Sequence, residues 1–202
     1  MAQAIAVLRN GVAIADPLGV ALGFLDAYSQ YDAIEASPPM SFAEPDLRLA
    51  NRGGARISAA QIAAILERRR AIERALRSIA PDSSLAGPMS AVPWLQLGRL
   101  FEAFADIRGV GVSKMTKALY PKRPALIPML DSVVQAYLEE DDLGPRAPFG
   151  ERALGLVRAY KRDLDRNRAA LRRVRRDLAR RGYGLSEVRI LDLLIWSIET
   201  GA

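Results

Sequence analysis

Ile107 to Val134, IRGVGVSKMTKALYPKRPALIPMLDSVV, is the stretch on which the reading of this chain turns. Upstream, Pro93 to Asp106 places Leu97, Leu100, Phe101 and Phe104 at helical spacing. The same period resumes from Val112 to Leu119. Gly109 and Gly111 therefore punctuate a helix, turn, helix unit. Glycine suits positive φ or a close approach, and Val110 between the two can plug the hairpin. Backbone amides then face outward at the start of the second helix, where unpaired N–H groups and the helix dipole favour an anion such as phosphate. Ser113, Lys114 and Lys117, with Lys122 and Arg123 in the following loop, would complete such a site. The bland alternative is a tight helix connection and nothing more. Asp131 then precedes a helical run through Val133, Val134, Tyr137 and Leu138, which reads as an N-cap.

The Gly-Val-Gly turn, followed at Asp131 by a carboxylate that opens a helix, resembles the core of the helix-hairpin-helix DNA glycosylase superfamily. Ile107, Gly109, Val110, Gly111 and Asp131 carry the resemblance, over about thirty of the 202 residues. It implies a hairpin that holds one strand of duplex DNA by its backbone, and Asp131 as the catalytic carboxylate. The departures from the family pattern restrict that implication. Bifunctional members carry a lysine two residues after the second glycine, where this chain has Ser113, so the resemblance implies no Schiff-base lyase. The family's Thr-His after the aspartate is replaced by Ser132-Val133. An iron-sulfur cluster held by four cysteines is ruled out by a chain without cysteine. Only a monofunctional, cluster-free branch fits. The run KRPALIPMLDSVVQAYL, residues 122 to 138, also resembles uncharacterised bacterial proteins built on this core.

Composition limits the chemistry further. At 202 residues and 50% hydrophobic content the chain is long enough for one substantial domain. Without cysteine there is no disulfide framework and no thiolate nucleophile, which fits a reducing cytoplasm. The absence of histidine removes a Ser-His-Asp triad and an ordinary zinc site, leaving carboxylates, lysine, tyrosine or bound water for acid and base work. The alanine-rich Met1 to Gln30 is interrupted by Arg9, Asp16 and Asp26, so it reaches neither the length of a membrane span nor the pattern of a signal peptide. Asp16-Pro17 reads as a helix start, followed by a loop.

Farther along, Ser58 to Ile79 is the clearest helix, with a Ser58/Gln61 capping box and a stripe through Ile62, Ile65, Leu66, Ile72, Leu76 and Ile79. Trp94 could stack on a base, although a core anchor is the commoner role. The acidic block Glu139 to Asp142 reads as a solvated helix end rather than a metal site, since consecutive residues do not converge on one point. Gly144 to Gly150 is the candidate internal boundary.

Beyond it, Glu151 to Arg181 holds twelve basic and four acidic residues, a net of +8, against +6 for the whole chain. Val157, Tyr160, Leu164, Leu171, Val174 and Leu178 keep a helical stripe under these charges. Arg162, Arg166, Arg172, Arg173, Arg176 and Arg180 form a candidate basic patch, for which a polyanion is the natural partner. A solvated charged face is the alternative.

The expected architecture is a single all-α domain of about seven to nine helices, because no segment shows strand alternation. The resemblance places its core at about residues 93–139 and implies two lobes around a groove; the basic helical section covers about 151–202. A DNA-binding, glycosylase-like protein without cofactor or metal is the leading expectation. The alternatives are a noncatalytic nucleic-acid-binding module, or a protein-interaction partner that uses its basic helix. Neither oligomeric state nor base preference can be read from these residues.

Overall fold

The helical periodicity is realised along most of the chain. In the computed structural model, residues 5–28 and 37–201 are described. Among them the helices are α1 (Pro17–Tyr28), α2 (Glu44–Arg52), α3 (Ala59–Glu67), α4 (Arg69–Arg77), α5 (Trp94–Glu102), α6 (Val112–Leu119), α7 (Ser132–Tyr137), α8 (Phe149–Arg166), α9 (Arg168–Ala179) and α10 (Glu187–Thr200). The architecture is all-α. Of the irregular chain expected between α1 and about Asp46, 29–36 lie outside the described residues, and 37–43 carry neither helix nor strand before α2 begins at Glu44.

Local chemistry starts several of these helices where the sequence places it. Asp16 Oδ1 accepts from Gly19 N at 3.0 Å with Pro17 in the first turn. Ser58 Oγ accepts from Gln61 N at 3.3 Å while Gln61 Oε1 takes Ser58 N at 3.1 Å, the reciprocal cap that satisfies two orphan amides. Ser186 caps α10 through Arg189 N at 3.1 Å. Asp46 lies inside the first turn of α2, and its Oδ2 accepts from Ala43 N at 2.8 Å.

A single hydrophobic cluster runs from Ala6 to Ile195. α10 is its centre: Val188, Ile190, Leu191, Leu193, Leu194 and Ile195 are all buried, and the helix packs on α1, α7, α8 and α9. A helix with this long an apolar run belongs inside a fold, and the charged Arg189 and Asp192 are buried with it. The other tight junction joins α5 to α8. Gly98 and Gly150 allow it: a Cβ at Gly150 would lie 2.9 Å from Gly98 O. Gly150 N donates to Glu102 Oε2 at 2.8 Å, tying the start of α8 to the end of α5.

Three features depart from the sequence reading. Ala6–Val7 (β1) pairs antiparallel with Ala13–Ile14 (β2), strands too short to show alternation. The long helix from Ser58 breaks at Arg68, where Arg68 N bonds Ile65 O and Ala71 N bonds Arg68 O, a tightening that no Gly or Pro announces. The basic section breaks likewise at Asn167. The reason is visible: Asn167 Oδ1 accepts from Val7 N at 2.6 Å and its Nδ2 donates to Val7 O at 2.9 Å, so the side chain completes β1. These two breaks raise the helix count above the expected range.

Candidate functional site

The turn between α5 and α6 forms as its glycines require. Gly109 has φ 75°, in the left-handed region. Val110 is buried as the plug, and its N–H returns to Ile107 O at 2.9 Å. Gly111 is the N-cap residue of α6, and no side chain caps that helix. Both glycines are exposed, and the first-turn amides of α6 have no side-chain cap. Gln61, from the capping box of α3, holds the turn from the other side. Its Nε2 donates to Gly109 O at 3.0 Å and its Oε1 accepts Lys114 Nζ at 2.7 Å. Lys114 is therefore anchored beside the turn, with Ser113 half-buried next to it.

Asp131 is brought to the other end of α6. Thr116 Oγ1 accepts from Leu130 N at 3.1 Å and donates to Val112 O at 2.9 Å, which pins the chain before Asp131 onto the helix. Asp131 Oδ1 accepts from Val133 N and Val134 N, both at 3.1 Å, so the N-cap reading holds. Oδ2 lies 3.9 Å from Lys117 Nζ, with the Asp131 side chain 21% exposed. Six residues separate Gly111 from Lys117, so the turn and the carboxylate stand about 9 Å apart along the axis.

Charge gathers under and around this pair. Burial pushes the Lys117 ammonium below its ordinary value; Asp131 opposes that, while the charges of Arg189 and Arg56 add to it. Asp192, on α10, is buried and accepts Met129 N on Oδ2 at 3.2 Å; its Oδ1 has no hydrogen-bond partner among the described residues. Burial pushes its carboxyl up to about 7, against the pull of Arg189. Tyr160 stands beside it, donating its hydroxyl to Val188 O at 2.6 Å.

Other expected residues lie elsewhere. Lys122 and Arg123 are not on a phosphate face; both are buried. Lys122 Nζ pairs with Asp46 Oδ1 at 2.7 Å, and Arg123 donates to Leu76 O, Ile79 O and Pro39 O, closing the end of α4. Loop residues with this much hydrogen-bonding capacity are used to tie the inside together.

Four of the six arginines of the basic patch have carboxylate partners. Arg162 pairs with Asp141, Arg166 with Asp163 at 3.0 Å, and Arg173 and Arg180 with Asp177. Arg172 and Arg176 face solvent without an ion pair among the described residues. The acidic block supplies part of this balance rather than dangling in water. Asp141 takes Arg9 at 2.7 Å as well as Arg162, and Asp142 takes Arg152 through two bonds of 2.6 Å. Trp94 is half-buried, donates Nε1 to Met89 O at 3.0 Å, and carries the Arg158 guanidinium over its ring.

Sequence reasoning missed Gln61 as a turn-holding residue, and missed Arg56, Arg189 and Asp192 altogether. A signal existed for the last two: charged residues three apart within the apolar run of α10 demand partners. None existed for Arg56, which lies in a loop with no motif.

No curated protein and no solved structure matches the chain. One family does, over residues 24–199, a span that includes the turn, Asp131, Lys117, Arg56, Arg189 and Asp192. The chain belongs to this family of unknown function, DUF6308.

Proposed function

We propose that this protein binds duplex DNA through the Gly109–Gly111 turn and removes a base by hydrolysis at Asp131. One arrangement carries the reading. The exposed turn feeds the uncapped N-terminus of α6, and the same helix holds Lys117 3.9 Å from Asp131 at the opening of α7. The amides and Lys114 would take strand phosphates. A nucleotide turned out of the duplex would be presented to the carboxylate.

Asp131 would stabilise positive charge on the sugar as the C–N bond breaks, in the manner of carboxylates facing an oxocarbenium-like centre. The electron pair of that bond leaves with the base, which takes up a proton. Water supplies the oxygen that bonds to the sugar carbon; Asp131 accepts the proton it releases and returns it to solvent, from which the departing base takes its own. Lys117 balances the carboxylate charge between turnovers. Because Arg162, Arg166, Arg173 and Arg180 are already paired, the turn rather than the arginine helices would supply most of the grip.

A noncatalytic nucleic-acid-binding module is the second reading. The observation that favours it is that Asp131 already has two structural tasks, capping α7 and pairing with Lys117. Base release from duplexes carrying uracil, alkylated, oxidised or mismatched bases separates the two. Release by wild type that Asp131→Asn abolishes, with DNA binding retained, supports the enzyme. Binding without release by either protein supports the module. Negligible duplex binding at physiological salt defeats both and points to a protein partner.

A further inference from the structure

The loop between α2 and α3 holds a cation in a costly backbone conformation. Arg56 has φ 53°, in the left-handed region that glycine occupies without penalty and other residues rarely enter. Its neighbours fix it there. Ala55 and Ile57 are buried on either side, and Ala55 N bonds Ala50 O at 3.1 Å. Asn51 grips Ile57 through both of its backbone polar groups, donating Nδ2 to Ile57 O at 2.9 Å and accepting Ile57 N on Oδ1 at 2.6 Å. The backbone requirement is thus explained, but it does not call for arginine.

The Arg56 side chain is exposed and makes no hydrogen bond or ion pair among the described residues. The loop nevertheless brings it to one place. Gly54, two residues earlier at φ 78°, stands so that its Cβ position is 3.9 Å from Lys117 Nζ, and the Arg56 charge acts on that ammonium. The loop that carries Arg56 therefore passes beside Lys117, the partner of Asp131, and Arg56 stands exposed two residues beyond that approach. Strain that the surrounding structure enforces, at a residue whose side chain serves nothing inside the fold, is typical of groups kept for a ligand.

We propose that Arg56 is a binding residue that takes a phosphodiester of the DNA strand lying across the Asp131 site. The proposal rests on the nucleic-acid reading of the turn and assigns that surface a contact outside it. A planar guanidinium offers two parallel donors to a phosphate, which an ammonium cannot match. Together with the α6 amides, it would give the strand a second point of attachment.

The test uses the full chain, a fluorescent duplex of about two helical turns and three variants, Arg56→Gly, Arg56→Ala and Arg56→Lys. Arg56→Gly removes both strain and charge, so its melting temperature should hold or rise by up to roughly 4 °C. Its duplex affinity should fall by about fivefold or more at low salt, and the slope of log K against log salt should shrink by roughly 0.9, one phosphate contact. Arg56→Ala should lose the same affinity, and Arg56→Lys should keep the slope while losing part of the affinity. A glycine variant that binds the duplex as wild type does, with an unchanged slope, overturns the inference and leaves the nucleic-acid reading standing. Stabilisation of wild type by inorganic phosphate that Arg56→Gly abolishes, with no duplex binding, assigns Arg56 to a free phosphate and overturns the strand contact. Silence of wild type toward both probes removes the inference and the reading together.

Discussion

Replacing Lys122 by methionine separates a surface role from a buried one. The Lys122 side chain has no exposure, and its ammonium pairs with Asp46 Oδ1 at 2.7 Å while donating to Ser37 O at 3.1 Å and to Ser37 Oγ. Asp46 is equally buried, at 1% exposure, and accepts Ser37 Oγ at 2.8 Å and Ala43 N at 2.8 Å. Methionine fills similar volume but leaves the Asp46 carboxylate inside the fold without its counter-charge. Breaking such a pair from one side costs about 3–5 kcal/mol. In a chain of this size each kcal/mol lowers the melting temperature by roughly 2–4 °C, so a fall of roughly 6–20 °C is expected. Circular dichroism on heating reads the fall; duplex anisotropy well below the transition should show affinity close to wild type. A melting temperature within about 2 °C of wild type, with weakened duplex binding, would refute the reasoning and return Lys122 to the phosphate face.

Two further outcomes come from the packing and from the buried carboxyl. Gly150→Ala should destabilise by about 1–3 kcal/mol in urea unfolding, since its Cβ meets a backbone oxygen, Gly98 O, at 2.9 Å; Gly98→Ala meets only the end of Leu154, Cδ1 at 2.9 Å, and should cost less. Asp192 holds its proton in the folded state up to about 7 against an ordinary 3.8, so folding binds a proton between those values and stability drains away as pH rises through that window. About three pH units correspond to about 4 kcal/mol at most, and Asp192→Asn, whose oxygen still accepts Met129 N, should flatten the urea midpoint between about pH 4 and 7. An equally steep pH profile in the variant would locate the titration elsewhere.

What was legible in the sequence was local. Asp16, Ser58 and Asp131 cap helices with amides two or three residues away, so spacing alone declares them. The glycine turn is of the same kind. The break at Asn167 is not, because its cause is Val7, at the opposite end of the chain. Lys122 and Arg123 show the same blindness in electrostatics: sequence displays a charge, while burial and the partners Asp46, Leu76 O and Ile79 O come only with the fold. The arginine section misled through its boundaries. Its net of +8 was counted over one stretch, whereas Asp141, Asp142 and Glu187, outside it, neutralise Arg162, Arg152 and Arg175. The all-α architecture was robust to these errors, since it rests on periodicity and not on who pairs with whom.

The two readings of Asp131, cap and catalyst, do not compete for the same atom. Oδ1 takes both amides of the α7 start, and Oδ2 is the one turned to Lys117. A carboxylate held by two N–H bonds has its rotamer fixed, which is the positioning that a catalytic oxygen needs. The cap therefore supplies order to the chemistry instead of replacing it. This also decides which substitution is informative. Alanine would remove the cap, at about 1 kcal/mol, and confound loss of folding with loss of charge. Asparagine caps as well as aspartate does, keeps an oxygen for Val133 N and Val134 N, and removes only the negative charge facing Lys117. If Asp131 is a cap alone, Asp131→Asn should be a silent change in melting temperature and in every reaction assayed; if its charge does work, the melting temperature should stay near wild type while base release disappears.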